Sequence, residues 1–207
     1  MIDTPEENTA VIVVDVQGDF TFDRNGNLAV AGTDNTYLDL VDSETRRLKA
    51  LGYPIFATQD WHPEDHMSFH SNHDNRAPYD TIEVDSRVQV LWPPHCVQGT
   101  ENAEIILDTS LFEAVVRKGM DPDYDSYSGF FDDGGKATGL GELLREKGIK
   151  KLIVYGLTTD YCAKFTALDA RRLGFEVVLI TDLCRGVTEE TTRTALEEMK
   201  AAGVSFI

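Results

Sequence analysis

No run of the 207 residues is apolar for long enough to span a bilayer. The N-terminal segment MIDTPEENTA is acidic and lacks the apolar core of a secretory signal. Basic residues are scarce: Lys and Arg total 19 against 36 Asp and Glu, a formal charge of −17. Such a surface repels polyphosphate and anionic lipid, so nucleic acid and membranes are poor partners. Cysteine is scarce as well. Cys96, Cys162 and Cys184 form neither a CxxC pair nor an even disulfide framework, which fits a reducing, cytoplasmic setting. Several signatures are missing too: there is no GxxxxGK[ST], no GxSxG, and HPEDH is not HExxH. Where a dinucleotide-binding GxGxxG would follow the first strand, Val16-Gln17-Gly18-Asp19-Phe20 stands instead.

What is present is the composition of a globular protein with a real core, 42% hydrophobic and 27% charged, expected to form a single domain over 1–207. Six short runs rich in β-branched residues recur: Ala10–Val16, Tyr53–Thr58, Phe112–Arg117, Lys151–Leu157, Phe175–Thr181 and Gly203–Ile207. Their continuous apolar character predicts strands buried on both faces of a parallel sheet. Helical patterns fall at Asn35–Leu51, Leu140–Lys147, Thr159–Leu173 and Thr188–Ala202, the last three each followed by Gly. The alternation predicts an α/β fold, a three-layer α/β/α domain around a central, mainly parallel sheet of about six strands. Domains of this kind often self-associate, so a homo-oligomer is an open expectation, although no interface signature is visible. Two stretches break the pattern. Gln59–Gly99, about forty residues with little regular structure expected, holds all five histidines and both tryptophans. Gly119–Gly135 is rich in Asp, Gly and Tyr and reads as a lid or rim.

Ligands of open α/β sheets bind beyond the carboxyl ends of the strands. Asp15, Asp60, Lys118 and Cys162 all fall there. With Thr159 as N-cap, Cys162 lies in the first helical turn, where the helix dipole favours a thiolate and draws its pKa toward neutrality. Asp15 could then take the thiol proton, Lys118 could hold Asp15 ionised, and backbone N–H groups of the turn could face an oxyanion. The competing reading makes Cys162 a small buried hydrophobe beside an ordinary Asp15–Lys118 ion pair.

Asp60-Trp61-His62 offers a second signal, because residues two apart in an extended segment project to one side. His66 is nearby, and His95 can return from the far end of the loop. Two histidines and a carboxylate with open positions suit one divalent ion: Zn first, with Fe or Mn as alternatives. His70 and His73 read better as solvated or hydrogen-bonded loop residues. Asp121, Asp123, Asp125 and Asp132 mimic a calcium-loop spacing. Ser126 at the sixth position and Asp at the twelfth argue for an acidic, solvated rim instead.

Taken together, Asp-Val-Gln-Gly-Asp-Phe (15–20), Asp-Trp-His-Pro (60–63) with His66, Trp-Pro-Pro-His-Cys-Val (92–97), Lys-Gly (118–119), Tyr-Ser-Gly-Phe (127–130) and Gly-Leu-Thr-Thr-Asp-Tyr-Cys (156–162) resemble the nicotinamidases, a branch of the isochorismatase-like cysteine hydrolases. Gly18 departs from the pattern, since Asn is usual there. The resemblance implies a triad of Asp15 as general base and acid, Lys118, and Cys162 as nucleophile. It implies an oxyanion hole from the N–H groups of Thr158 and Cys162 after a cis peptide. Phe20, Trp92 and Tyr127 would flank the substrate ring. Asp60, His62 and His95 would bind the metal, with His66 as a further ligand that some members do not use. The reaction implied is deamidation of the small molecule nicotinamide to nicotinate and ammonia through a thioester. The alternatives are another amide or carbamoyl hydrolase of the same superfamily, a thiol redox protein, and a non-catalytic metal-binding α/β module.

Overall fold

The computed structural model describes residues 2 and 4–207. Its centre is a sheet of six strands, all parallel, in the order β5-β2-β1-β6-β7-β8. In chain order the strands are β1 (Thr9–Val14), β2 (Ile55–Asp60), β3 (Thr81–Val84), β4 (Arg87–Val90), β5 (Ala114–Lys118), β6 (Lys151–Leu157), β7 (Glu176–Arg185) and β8 (Ser205–Phe206). The helices are α1 (Asn35–Ala50), α2 (Leu140–Glu146), α3 (Cys162–Arg172) and α4 (Glu189–Ala201). All six expected strands therefore form, β6 with the expected bounds and the others shifted at their ends by one to four residues. β1 and β2 are buried at every position, as strands covered on both faces must be. Among the described residues no helix is long and apolar enough to cross a membrane.

Two expectations need correction. The 59–99 segment is not without regular structure: β3 and β4 pair antiparallel as a hairpin. Its two-residue turn, Asp85-Ser86, has positive φ at both positions (49° and 64°), the twist a two-residue hairpin requires. The alternation in Thr81–Val90 carried that signal. Thr159, in turn, is not the N-cap of α3. Its N–H donates to Arg185 O on β7 at 2.9 Å, which holds it to the sheet. The helix begins at Cys162 with Tyr161 as N-cap, and no side chain caps it.

After β1 the chain runs outward to β2 and β5, then crosses back to β6 on the other side of β1. The topological switch point therefore lies at the carboxyl ends of these strands. Asp15 follows β1, Asp60 ends β2 and Lys118 ends β5, and Asp60 and Lys118 are register partners across the β2–β5 pair. Gly18 packs against Asn102: a Cβ there would stand 2.8 Å from Asn102 Cα, so the close approach of the 101–103 turn excludes a larger residue.

Candidate active site

The chain's reactive side chains meet at this switch point. Lys118, fully buried, donates from Nζ to an Asp60 carboxylate oxygen, to Ser126 O at 2.8 Å and to Cys162 Sγ at 3.4 Å. Its three protons are thereby spent. Asp15 Oδ2 lies 3.0 Å from Nζ yet accepts no well-aligned hydrogen bond, while Oδ1 accepts from Thr58 Oγ1 at 2.6 Å. Asp15, Asp60 and Cys162 offer donor atoms all within 4.8 Å of one another. Asp15 adopts φ 47°, the left-handed region, as the chain turns off β1.

Burial dominates the electrostatics. It raises the Asp15 carboxyl to about 6, against the pull of Lys118. Burial works on Asp60 as well, but Lys118 and then His62 outweigh it and hold that carboxyl well below the usual range. Lys118 is held well above the usual range because Asp15 and Asp60 together overcome its desolvation. Burial also pushes the Cys162 thiol well up, with Lys118 only partly opposing it. A thiol lowered toward neutrality is thus not the resting state. Ionisation of the sulfur must be coupled to a base that accepts its proton, and Asp15 Oδ2 is the open acceptor beside it.

The sequence offers His62 and His95 as ligands, His66 as a further one and His73 as a loop residue, and their hydrogen bonds now distinguish them. His62 Nδ1 lies 3.0 Å from Gly119 O and His95 Nδ1 2.8 Å from Pro93 O. A carbonyl only accepts, so in both rings Nδ1 carries the proton and Nε2 presents a lone pair. His62 Nε2 is 3.8 Å from Asp60 Oδ2. His66 is the reverse. Its Nδ1 accepts from Ser68 N–H at 3.2 Å, and its Nε2 faces Tyr124 O at 3.2 Å, so neither nitrogen is free to ligate. His73 Nε2 sits 2.6 Å from Met67 O, as a hydrogen-bonded loop residue. Burial, aided by neighbouring His62, lowers His66 and His95 to about 4, keeping both neutral. His62 is raised: the Asp60 carboxylate outweighs burial.

Asp60, His62 and His95 bring one oxygen and two nitrogens within 4.8 Å of one another. That N₂O set with open positions fits a divalent ion of the zinc type. Phe69 packs edge-on against both rings, at 5.5 and 5.6 Å between centroids. Gly119 makes room for His62: at φ 65°, a Cβ there would stand 2.4 Å from the imidazole Cε1. Gln17 fixes Asp60 from behind. It accepts from Asp60 N–H at 2.8 Å and donates to Asp60 O at 2.8 Å and Ala103 O at 2.7 Å. Asp19 accepts from Cys96 N–H at 2.6 Å and so anchors the residue after His95.

A pocket opens on this cluster. Phe20, Trp92 and Tyr127, singled out from sequence, line it together with Asp60, His95, Thr158 and Cys162. Asp15, Lys118, His62 and His66 lie behind its wall. Trp92 Nε1 donates to Tyr127 OH at 3.0 Å, which braces the two rings. The Leu157–Thr158 peptide is cis, and Cys162 begins α3, where first-turn N–H groups have no intrahelical acceptor. Sequence reasoning missed Leu28, Tyr161, Val187 and Asp125 as lining residues. Asp125 is also a correction: it is buried, not part of a solvated rim, although Asp123 in the same segment is exposed. Val187 closes one side of the pocket, its N–H held by both Asp160 carboxylate oxygens at 3.1 and 3.0 Å.

Comparison with known proteins adds an independent line. The family profile described as Isochorismatase domain matches residues 9–207. A nicotinamidase from Acinetobacter baylyi is 42% identical over 204 residues, 97% of this chain and 92% of that protein. The structure of PnC1 from L. infantum in complex with nicotinate is similar at TM-score 0.85 and 36% identity, over 100% of this chain and 96% of that one. A pyrazinamidase of Pyrococcus horikoshii in complex with zinc matches at TM-score 0.81 and 36% identity, over 97% and 98%.

Proposed function

The chain belongs to the isochorismatase family, and from that premise we propose that it is a cysteine amidohydrolase converting nicotinamide to nicotinate and ammonia. The observation that carries the reading is the meeting of Cys162 Sγ, Asp15 and Lys118 beside two histidines whose Nε2 atoms are free for a cation. The nicotinamidase relative, the nicotinate complex and the zinc complex support it. Nicotinamide is planar and uncharged, so the strongly acidic surface does not repel it. Phe20, Trp92 and Tyr127 offer flat apolar faces to a pyridine ring.

Asp15 Oδ2 takes the thiol proton as Cys162 Sγ attacks the carboxamide carbon. The N–H groups of Thr158 and Cys162 hold the developing oxyanion, and Lys118 offsets negative charge on the sulfur. Asp15 returns the proton to the departing nitrogen, ammonia leaves and a thioester remains. Asp15 then takes a proton from water as the water oxygen adds to the acyl carbon. Collapse releases nicotinate, and the thiol recovers its proton. Asp60, His62 and His95 would hold one divalent ion, zinc first, which when bound supplies positive charge and open coordination positions beside the pocket. Three free, buried cysteines suit a reducing compartment such as the cytoplasm.

The test is ammonia release from nicotinamide by the wild type and Cys162→Ala, with zinc content measured on both. The expected result is turnover by the wild type alone, with equal zinc in the two proteins. A fully active Cys162→Ala ends the proposal.

A further inference from the structure

Asp125 is a buried carboxylate at the pocket for which the proposed reaction has no use. It is 4% exposed and lines the cavity beside Asp60, His95 and Cys162. Its Oδ2 accepts from Gln89 Nε2 at 2.8 Å and its Oδ1 from the Ser126 N–H at 2.8 Å, both neutral donors. Among the described residues the pocket's ammonium, Lys118, pairs with Asp15 and Asp60 instead. Three buried carboxylates, Asp15, Asp60 and Asp125, thus face one buried ammonium. Isolated buried charge is costly unless a counter-ion joins it. Asp125 groups within 4.8 Å with the ligand atoms of His62 and His66, not with the Asp60–His62–His95 set, so it faces the site from beyond His62.

We infer that Asp125 is a positioning residue of the cation site, supplying without direct ligation the second negative charge that a divalent ion neutralises. The inference rests on the reading that Asp60, His62 and His95 hold that ion. Ligating imidazoles are neutral, so with Asp125 the three carboxylates, Lys118 and a divalent ion sum to zero; without it they sum to +1, and affinity for the ion must fall. Replacing it by an isosteric amide therefore weakens zinc binding by more than it disturbs the metal-free protein, which a merely structural residue would not do.

The experiment is equilibrium competition for Zn²⁺ against a chromophoric chelator, with wild type, Asp125→Asn, the exposed control Asp123→Asn, and Asp60→Ala. Thermal melting of each chelator-stripped protein accompanies it. Asp125→Asn is expected to bind zinc about tenfold or more weakly, and Asp123→Asn to stay within about twofold of wild type. Metal-free Asp125→Asn should melt close to the metal-free wild type, while its gain in Tm on adding zinc shrinks. Unchanged zinc affinity in Asp125→Asn overturns the inference and leaves the metal reading standing. A metal-free Asp125→Asn that melts well below wild type overturns it too, by assigning Asp125 to the scaffold. A wild type that binds no zinc, or an Asp60→Ala that binds as tightly as wild type, removes the metal reading and the inference with it.

Discussion

The ammonium of Lys118 is hydrogen-bonded to the carboxylate of Asp60, so one buried cation serves both the Asp15–Cys162 pair and the residues that would hold a metal. Lys118→Met leaves both carboxylates buried without it. Breaking a buried ion pair this way destabilises by about 3–5 kcal/mol. Denaturant unfolding should show a loss of that order, with nicotinamide turnover abolished. Adding Asp60→Asn to Lys118→Met should recover part of the stability and none of the turnover. Strict additivity of the two losses would mean the contact carries no coupling.

The carboxyl of Asp15, raised to about 6, should be visible in the chemistry of Cys162. Only ionised Asp15 can accept the thiol proton. In metal-free protein, iodoacetamide alkylation of Cys162 should therefore slow as pH falls through about 6, approaching about tenfold per pH unit below it. Asp15→Asn should be slow throughout and lack that limb. The sign for stability runs the other way. A carboxyl raised above its unfolded value favours the protonated native state, so this group's contribution is lost as pH rises from about 4 toward about 6. An acid limb unchanged in Asp15→Asn would assign the titration elsewhere.

The sheet and the edge that gathers the candidate site residues were legible in the sequence because β-branched runs and the residues that follow them are local features. Asp15, Asp60, Lys118 and Cys162 each stood at a strand end, and the parallel register carries them together. The Lys118–Asp60 contact was not legible, since it depends on β2 and β5 pairing in one particular register. Asp125 was misread because the acidic stretch around it looks solvated, and only the folded loop turns it inward onto Gln89. The raised Cys162 thiol was not legible because a helix N-terminus can be read from spacing, whereas burial among other elements cannot.

His66 separates donor proximity from donor availability. Both its nitrogens are engaged, by the Ser68 N–H and by Tyr124 O, whereas His62 and His95 each keep Nε2 free. His66→Ala should retain one zinc per chain, with affinity reduced by no more than about tenfold, as for an outer residue. His62→Ala and His95→Ala should lose stoichiometric zinc. Elemental analysis after dialysis distinguishes them, and a zinc-free His66→Ala would mean that its ring turns to ligate when the ion is present.

Gly119→Ala tests how His62 is held. The added methyl would stand 2.4 Å from the imidazole Cε1, and the backbone there sits at φ 65°. Something must move, and the ring is the nearest movable group. Zinc affinity should fall by about tenfold or more, with a lowered Tm from backbone strain. Unaltered zinc binding would show that His62 adjusts without leaving its place.

Val187 forms one wall of the pocket that a pyridine carboxamide would occupy. Asp160 controls that wall. Its carboxylate accepts from the Val187 N–H and from the Thr191 hydroxyl, and Thr191 in turn donates from its N–H to the Thr188 side chain that caps α4. Asp160→Asn replaces one acceptor oxygen with a donor among groups that all donate, and so releases one of these ties. Neither the thiol nor Asp15 is touched, and Cys162 stays at the start of α3 and Asp15 directly after β1. KM for nicotinamide should therefore rise by about tenfold, the scale of a misplaced apolar wall, while kcat changes much less. Thr191→Val should raise KM in the same direction, and the double variant should be less than additive, because both act through one carboxylate. A kcat loss with KM unchanged would place Asp160 in support of Cys162, through the shared turn at Thr159–Tyr161, rather than in control of the wall.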